Sequence, residues 1–171
     1  MSLSMYSASV PVFKRQLTGM LGWLDKAEAH AQARKFDPNN YLQTRLAPDM
    51  LPFIAQIRIA SDGAKGCVAR LAGIEIPKFE DNEATIDELR QRIRKTLEFI
   101  DSVGRDKIDG SEEREITIPM RNRDPIQFKG EFYLKHWALP NFFFHVTTAY
   151  ALLRHNGVEL GKKDFLALGD G

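Results

Sequence analysis

The sequence predicts an all-α protein, an up-and-down four-helix bundle with a small β-hairpin inserted between helices three and four. Three observations carry that reading. Apolar residues recur at steps of three and four through four separate stretches, the period that gathers them on one face of a helix. Start and stop signals bracket those stretches. Between the third and the fourth, the period drops to two, the alternation of a half-buried strand.

The first helix spans about Val10 to Arg34, with Val10, Phe13, Leu17, Met20, Leu21, Leu24, Ala27 and Ala31 on one face. Ser9 stands where an N-cap belongs, and Pro11 fits the first turn because its missing N–H has no intrahelical partner there. Asp25, Glu28 and His30 fall toward the other side and read as a solvated face. Phe36 to Leu46, with Asp37-Pro38-Asn39-Asn40 near its front, is a turn-rich connection. A second helix runs from about Pro48 to Leu71, with Met50, Phe53, Ile57, Ala60, Ala64, Cys67, Val68 and Leu71 as its stripe and Gly73 to end it. Gly63 and Gly66 each cost about 1 kcal/mol relative to alanine inside a helix, and they mark a kink or a close helix crossing.

Thr85 to Glu88 forms a capping box: the Thr85 hydroxyl accepts from the Glu88 N–H, while the Glu88 carboxylate reaches back to the chain before the helix. The third helix therefore starts there and carries Ile86, Leu89, Ile93, Thr96, Leu97, Ile100 and Val103, with Glu88, Arg90, Arg92, Arg94 and Lys95 on a solvated face. Ile116, Ile118 and Met120, then Ile126 and Phe128 after Asn122-Arg123-Asp124-Pro125, form the hairpin, and Pro119 suits an edge strand because it cannot donate to a ladder. The fourth helix spans roughly Leu139 to Asn156, opened by Pro140 and closed by Asn156-Gly157. Lys162 to Gly171 is a short tail.

At 171 residues the chain fits a single domain, 1–171, that needs no disulfide or metal staple. Its 24 Lys and Arg balance 23 Asp and Glu, which gives no reason to expect nucleic acid, an anionic membrane or an acidic partner. Met1 to Pro11 lacks the basic start and apolar run of a secretory signal, and the expected location is the cytoplasm. The lone cysteine, Cys67, lies in an apolar helical stretch and reads as a small buried hydrophobe.

Histidines are the first candidates for chemistry. His145 and His155 share the fourth helix, but their separation along it is roughly 15 Å at 1.5 Å per residue, too far for one ion with metal–nitrogen bonds of about 2.0–2.1 Å. No His-x-x-x-His, His-Glu-x-x-His or Glu-x-x-His occurs, and no metal or other cofactor is expected. His145 follows the inward stripe of Phe142, Ala149 and Leu152. Desolvation there makes it a candidate general base or ligand anchor, or else a core histidine with satisfied hydrogen bonds. Gln56 borders the stripe of helix two and must find partners if buried. Facing each other, the two form a polar spot inside the bundle, the kind of convergent pair found in small-molecule pockets. With Trp137 and Tyr150 they make the expected ligand-binding set. The segment Tyr133 to Tyr150 carries more aromatic surface than one helix face buries, so Phe143 either packs under the hairpin or belongs to a subunit interface. No nucleophile elbow, Walker loop or dinucleotide fingerprint is present.

Three stretches, Met1 to Tyr6, Leu46 to Phe53 and above all Trp137 to Gly157, make the chain resemble the DinB/YfiT-like superfamily of bacterial four-helix bundles, closest to a branch known as a domain of unknown function. The resemblance implies a bundle-core pocket and a homodimer. It also implies a comparison of ligands: metal-binding members use one histidine of the second helix and an i, i+4 pair near the end of the fourth. His155 resembles the last of these, but Ala151 stands four residues earlier and helix two has no histidine. The expected function is small-molecule binding in the pocket without a metal. A non-catalytic dimeric scaffold or stress-associated protein, and a hydrolase or thiol transferase with altered metal ligands, are the alternatives.

Overall fold

A computed structural model describes residues 3–120 and 122–167. Met1 and Ser2 of the opening stretch and the last four residues of the tail lie outside the described residues. The protein is mostly helical with one two-stranded antiparallel hairpin.

Helix α1 is Val10–Arg34, with Phe13, Leu17, Met20, Leu24, Ala27 and Ala31 of its stripe buried. Ser9 precedes it but does not cap it: the hydroxyl donates backward to the Met5 carbonyl at 2.6 Å. A 3₁₀ turn, Pro38–Gln43, fills the turn-rich connection, with the Asp37 carboxylate accepting from the Asn39 N–H. Helix α2 is Phe53–Ala72 and starts later than the sequence suggested. Pro52 occupies the N-cap rather than the first turn, and a residue before proline is pushed out of the helical region, so Leu51 cannot extend the helix backward. Gly73 adopts φ +67° and lets the Ile74 N–H reach the Ala69 carbonyl.

Helix α3, Ile86–Asp101, carries the expected capping box, with the Glu88 N–H donating to the Thr85 hydroxyl at 3.2 Å and the Thr85 N–H to the Glu88 carboxylate at 2.9 Å. Its charged residues are not uniformly solvated. Arg90 and Arg92 are buried, Arg90 against Asp25 and Glu28 of α1 and Arg92 against Asp62 of α2 and Glu83 of the preceding loop. These pairs draw α1, α2 and the loop 74–85 onto α3.

A short helix α4, Arg105–Ile108, leads into strands β1, Glu115–Met120, and β2, Arg123–Lys129. Ile116 pairs with Phe128 and Ile118 with Ile126; the register then shifts between Ile118 and Met120, at Pro119, where a residue without an N–H is tolerated.

The last long helix departs most from its sequence expectation. It does not open at Leu139. Helix α5, Gly130–Tyr133, runs through a π-turn, Leu134–Ala138, into α6, Leu139–His155, with backbone angles helical throughout the junctions. Pro140 is therefore inside a continuous helical rod. It has no N–H to give, and one turn earlier the ladder widens so that the Leu139 N–H bonds the Leu134 carbonyl, five residues back. The rod ends at Asn156 and Gly157, the latter with φ +91°. Helix α7, Lys162–Phe165, lies against α1.

Helices α1, α2, α3 and α6 enclose one apolar core, with α2 packed on both α3 and α6. Gln56 meets His145 while Arg70 meets Tyr133. Numbering rises along α2 as it falls along the α5–α6 rod, so these two run antiparallel. Among the described residues no helix is long and apolar enough to cross a membrane.

Candidate functional site

His145 is 8 % exposed, and its Nδ1 lies 2.7 Å from Oε1 of Gln56, itself buried. The Gln56 amide nitrogen donates to the Leu51 carbonyl at 2.9 Å, which fixes the amide with its oxygen toward the imidazole. An amide oxygen only accepts, so Nδ1 carries the ring proton and Nε2 holds a lone pair. Among the described residues Nε2 has no hydrogen-bond partner, yet it is not among the sealed polar atoms. Burial holds the imidazole below its ordinary 6.5. The outcome is a neutral histidine, oriented by an amide, with one basic nitrogen open to an incoming group.

Along the same seam between α2 and the α5–α6 rod lies a cleft of ≈200 Å³, lined by Ile59, Asp62, Gly63, Arg70, Trp137 and Asn141, together with Ile118 of β1, Tyr133 and Ala138. The π-turn supplies Trp137 and Ala138, and π-turns recur at functional sites. Gly63 matters for its emptiness: a Cβ built there meets nothing within 4 Å. It does not mark a close helix crossing. Gly66 does not either, since the atom nearest its absent Cβ is Nη1 of Arg70, at 2.7 Å, whose side chain lies across the helix. Phe128 of β2 packs 5.4 Å from Trp137 and 6.1 Å from Tyr133 between ring centres, so the hairpin braces the aromatic wall of the cleft.

Charge in the cleft is uneven. Asp62 is neutralised by Lys65 at 2.8 Å and Arg92 at 2.9 Å. Among the described residues Arg70 donates only to the Tyr133 hydroxyl, at 3.3 Å. Burial pushes the Tyr133 phenol and the Cys67 thiol well up, so both stay protonated at neutral pH. Cys67 is sealed in the core, as its sequence context suggested, and offers no thiolate.

The residues singled out from sequence divide into three places. Gln56 and His145 are joined directly. Trp137 lies along the same seam, in the cleft. Tyr150 does not belong with them: five residues beyond His145, at about 100° per residue, it turns roughly 140° round the helix. There it packs against Trp23 and Phe165, its hydroxyl donating to the Leu160 carbonyl at 3.4 Å. His155 is exposed in the last turn of α6. His30 corrects a further expectation, for it is not on a solvated face: its Nδ1 lies 2.5 Å from the Tyr41 hydroxyl and its Nε2 is buried with no partner among the described residues. Phe143 is packed on the core beside Phe142, and its neighbour Phe144 is left in the open.

The residues present do not fit the three-histidine metal centre of the superfamily. Ala151 and the histidine-free α2 leave His155 without co-ligands, and among the described residues no three His, Cys, Asp or Glu side chains converge to hold an ion. Sequence reasoning missed Gly63, Arg70, Tyr133 and Asn141. Arg70 sits in the last turn of α2, where a cation is expected to answer the helix dipole, and Gly63 looked like a helix weakness. Their roles emerge only when the second helix is laid against the rod.

No curated protein matches the chain. A family model described as a domain of unknown function, DUF1993, matches residues 5–166. The crystal structure of a DinB family member protein from Shewanella denitrificans superposes with a TM-score of 0.86 at 40 % identity, covering 94 % of this chain and 90 % of that one. A helical protein with its polar seam between α2 and the rod, this chain belongs to the DUF1993 family and is a DinB family member.

Proposed function

We propose that this DinB family member is an up-and-down four-helix bundle that binds a small molecule, without a metal, in the cleft between α2 and the α5–α6 rod. The observation that carries the reading is the space beside Gly63, walled by Trp137 and Asn141 at a π-turn, which no side chain among the described residues fills. Pockets for small ligands are concave and largely apolar with a few placed polar groups. Here Ile59, Ile118, Ala138 and Trp137 supply the apolar walls and Arg70, Tyr133 and Asn141 the polar ones. His145 does not line the cleft but lies one turn beyond Asn141, held by Gln56 through Nδ1, with Nε2 as a hydrogen-bond or proton acceptor that has no partner among the described residues. The test is native mass spectrometry of gently purified protein, beside a Gly63→Met variant whose side chain occupies the cleft. Wild type carrying a small-molecule adduct that the variant lacks supports the reading. Identical adducts on both, with unchanged folding, overturn it.

The homodimer reading has its own support: Leu51, 50 % exposed, and Phe144, 57 % exposed, flank the Gln56–His145 pair from α6 and the segment before α2. Light scattering giving twice the chain mass, and falling to one chain mass in Phe144→Glu, supports a dimer closed over that patch.

A further inference from the structure

Four arginines of the described residues are at least partly buried: Arg58, Arg70, Arg90 and Arg92. Arg58 is answered by Glu83, Arg90 by Asp25, Glu28 and Asp87, and Arg92 by Asp62, Asp81 and Glu83. Arg70 alone has no carboxylate among the described residues. A cation withdrawn from water costs free energy unless it is paired, and this one is withdrawn at the edge of a cleft. Its Nη1 lies 2.7 Å from where a Cβ of Gly66 would stand, space left to it because Gly66 has no side chain. It borders both the cleft at the π-turn and a neighbouring hollow of ≈350 Å³ beneath Phe79.

The phenol beside it completes a donor pair. Arg70 donates to the Tyr133 oxygen, which leaves the Tyr133 O–H proton without an acceptor among the described residues. A guanidinium and a hydroxyl on one wall suit a planar oxyanion. With Asp62 on the cleft lining already answered by Lys65 and Arg92, Arg70 is the one unanswered charge there and matches a single negative charge on the occupant, and at ≈200 Å³ the cleft is smaller than sites for drug-sized molecules.

We infer that the cleft is selective for a small organic monocarboxylate, its carboxylate held by Arg70 and Tyr133 and its carbon body against Trp137 and Ile59. This rests on the cleft being a ligand site, as proposed above.

Two tryptophans give the test an internal reference, because Trp23 packs against Phe165 on the far side of α6, away from the cleft. The indole N–H resonances of ¹⁵N-labelled protein are followed while benzoate or the neutral benzamide is added, with Trp23→Phe to assign them. Benzoate is expected to shift the Trp137 resonance saturably and to leave Trp23 in place, with benzamide at least about ten-fold weaker, a factor equal to about 1.4 kcal/mol. Arg70→Gln should abolish the difference between the probes, and Arg70→Lys should retain part of it. Equal titration by both probes in wild type leaves the cleft reading standing and overturns the carboxylate selectivity. Silence of Trp137 toward both overturns the two together. Should Arg70→Gln fail to fold, the wild-type comparison of the two probes decides alone.

Discussion

His145 and Gln56 stand 2.7 Å apart across the α2–α6 seam, each the other's buried polar partner. Replacing His145 by alanine strands the Gln56 oxygen, at a cost of roughly 1–3 kcal/mol. The exposed His155 has no comparable bond, and His155→Ala should leave the urea midpoint nearly unchanged. Matching midpoints for the two variants would show that the bond contributes nothing to the fold.

The same pair sets a pH dependence. Burial favours the neutral imidazole, so the folded value lies below the unfolded one near 6.5. The unfolded chain therefore takes up the proton first as pH falls. Stability contributed by His145 is complete above pH 6.5 and drains away as pH drops from there through the folded value. Urea unfolding between about pH 8 and about pH 5 should show wild type losing more stability than His145→Gln over the lower half of that range. Parallel curves would contradict the assignment.

Glu83 is the hub of the loop before α3, receiving Arg58 at 2.7 Å and Arg92 at 2.8 Å. Glu83→Ala leaves two withdrawn guanidinium groups short of a partner and should cost about 3 kcal/mol, the low end for a broken buried pair, since Arg92 keeps Asp62 and Asp81. Burial pushes the Glu83 carboxyl up, but hydrogen bonds from Arg92, the backbone and Arg58, joined by the charge of Arg92, together hold it below its usual 4.5. Its contribution is thus present above that value and lost as pH falls beneath it. The Arg92 side chain is only 2 % exposed, which keeps water and salt from screening the pair. Chemical denaturation in about 1 M salt should accordingly leave the Glu83→Ala penalty almost intact.

Gly63 and Gly66 should answer alanine oppositely. At Gly63 a methyl group meets open space, and Gly63→Ala gains about 1 kcal/mol of helix propensity. At Gly66 the methyl collides with the Arg70 side chain, so the gain is offset by displacing it and the Arg70–Tyr133 bond is lost. Differential scanning calorimetry reads the contrast as a raised melting temperature for the first variant and an unchanged or lowered one for the second.

Much of this molecule could be read before folding it. The capping box of Thr85 and Glu88 is local chemistry, complete within four residues, and α3 begins where it says. The stripe of α1 is long enough that seven of its apolar members are fully buried with no ambiguity of face. Facing polar residues on two stripes were enough to pair Gln56 with His145. What stayed hidden depends on tertiary contact. Arg92 looked like one of several solvated charges on α3 until the loop carrying Glu83 closed over it. Tyr150 shares a helix with His145 but serves the other side of the molecule. The start of the last helix was misplaced because Pro140 reads as a beginning when no neighbour shows that the helix has already been running since Gly130.

The π-turn at Leu134–Ala138 has a consequence in the language of insertion and deletion. A π-turn holds one residue more than the α-helix needs, so everything before it is out of phase with everything after by the angle of one residue, about 100°. Removing a single residue between Leu134 and Ala138 lets the rod anneal into plain α-helix without shortening α6 or touching His145. The segment ahead of it then revolves as a block, carrying Tyr133 off Arg70 and dragging the end of β2 with it, because Gly130 abuts the Ser111 carbonyl and Glu131 is tied to Glu112. Relatives that differ here by one residue would thus share a helix, a core and a histidine, yet present a different wall to whatever enters the cleft. The length of this turn, together with the side chains it carries, sets which residues stand opposite Arg70.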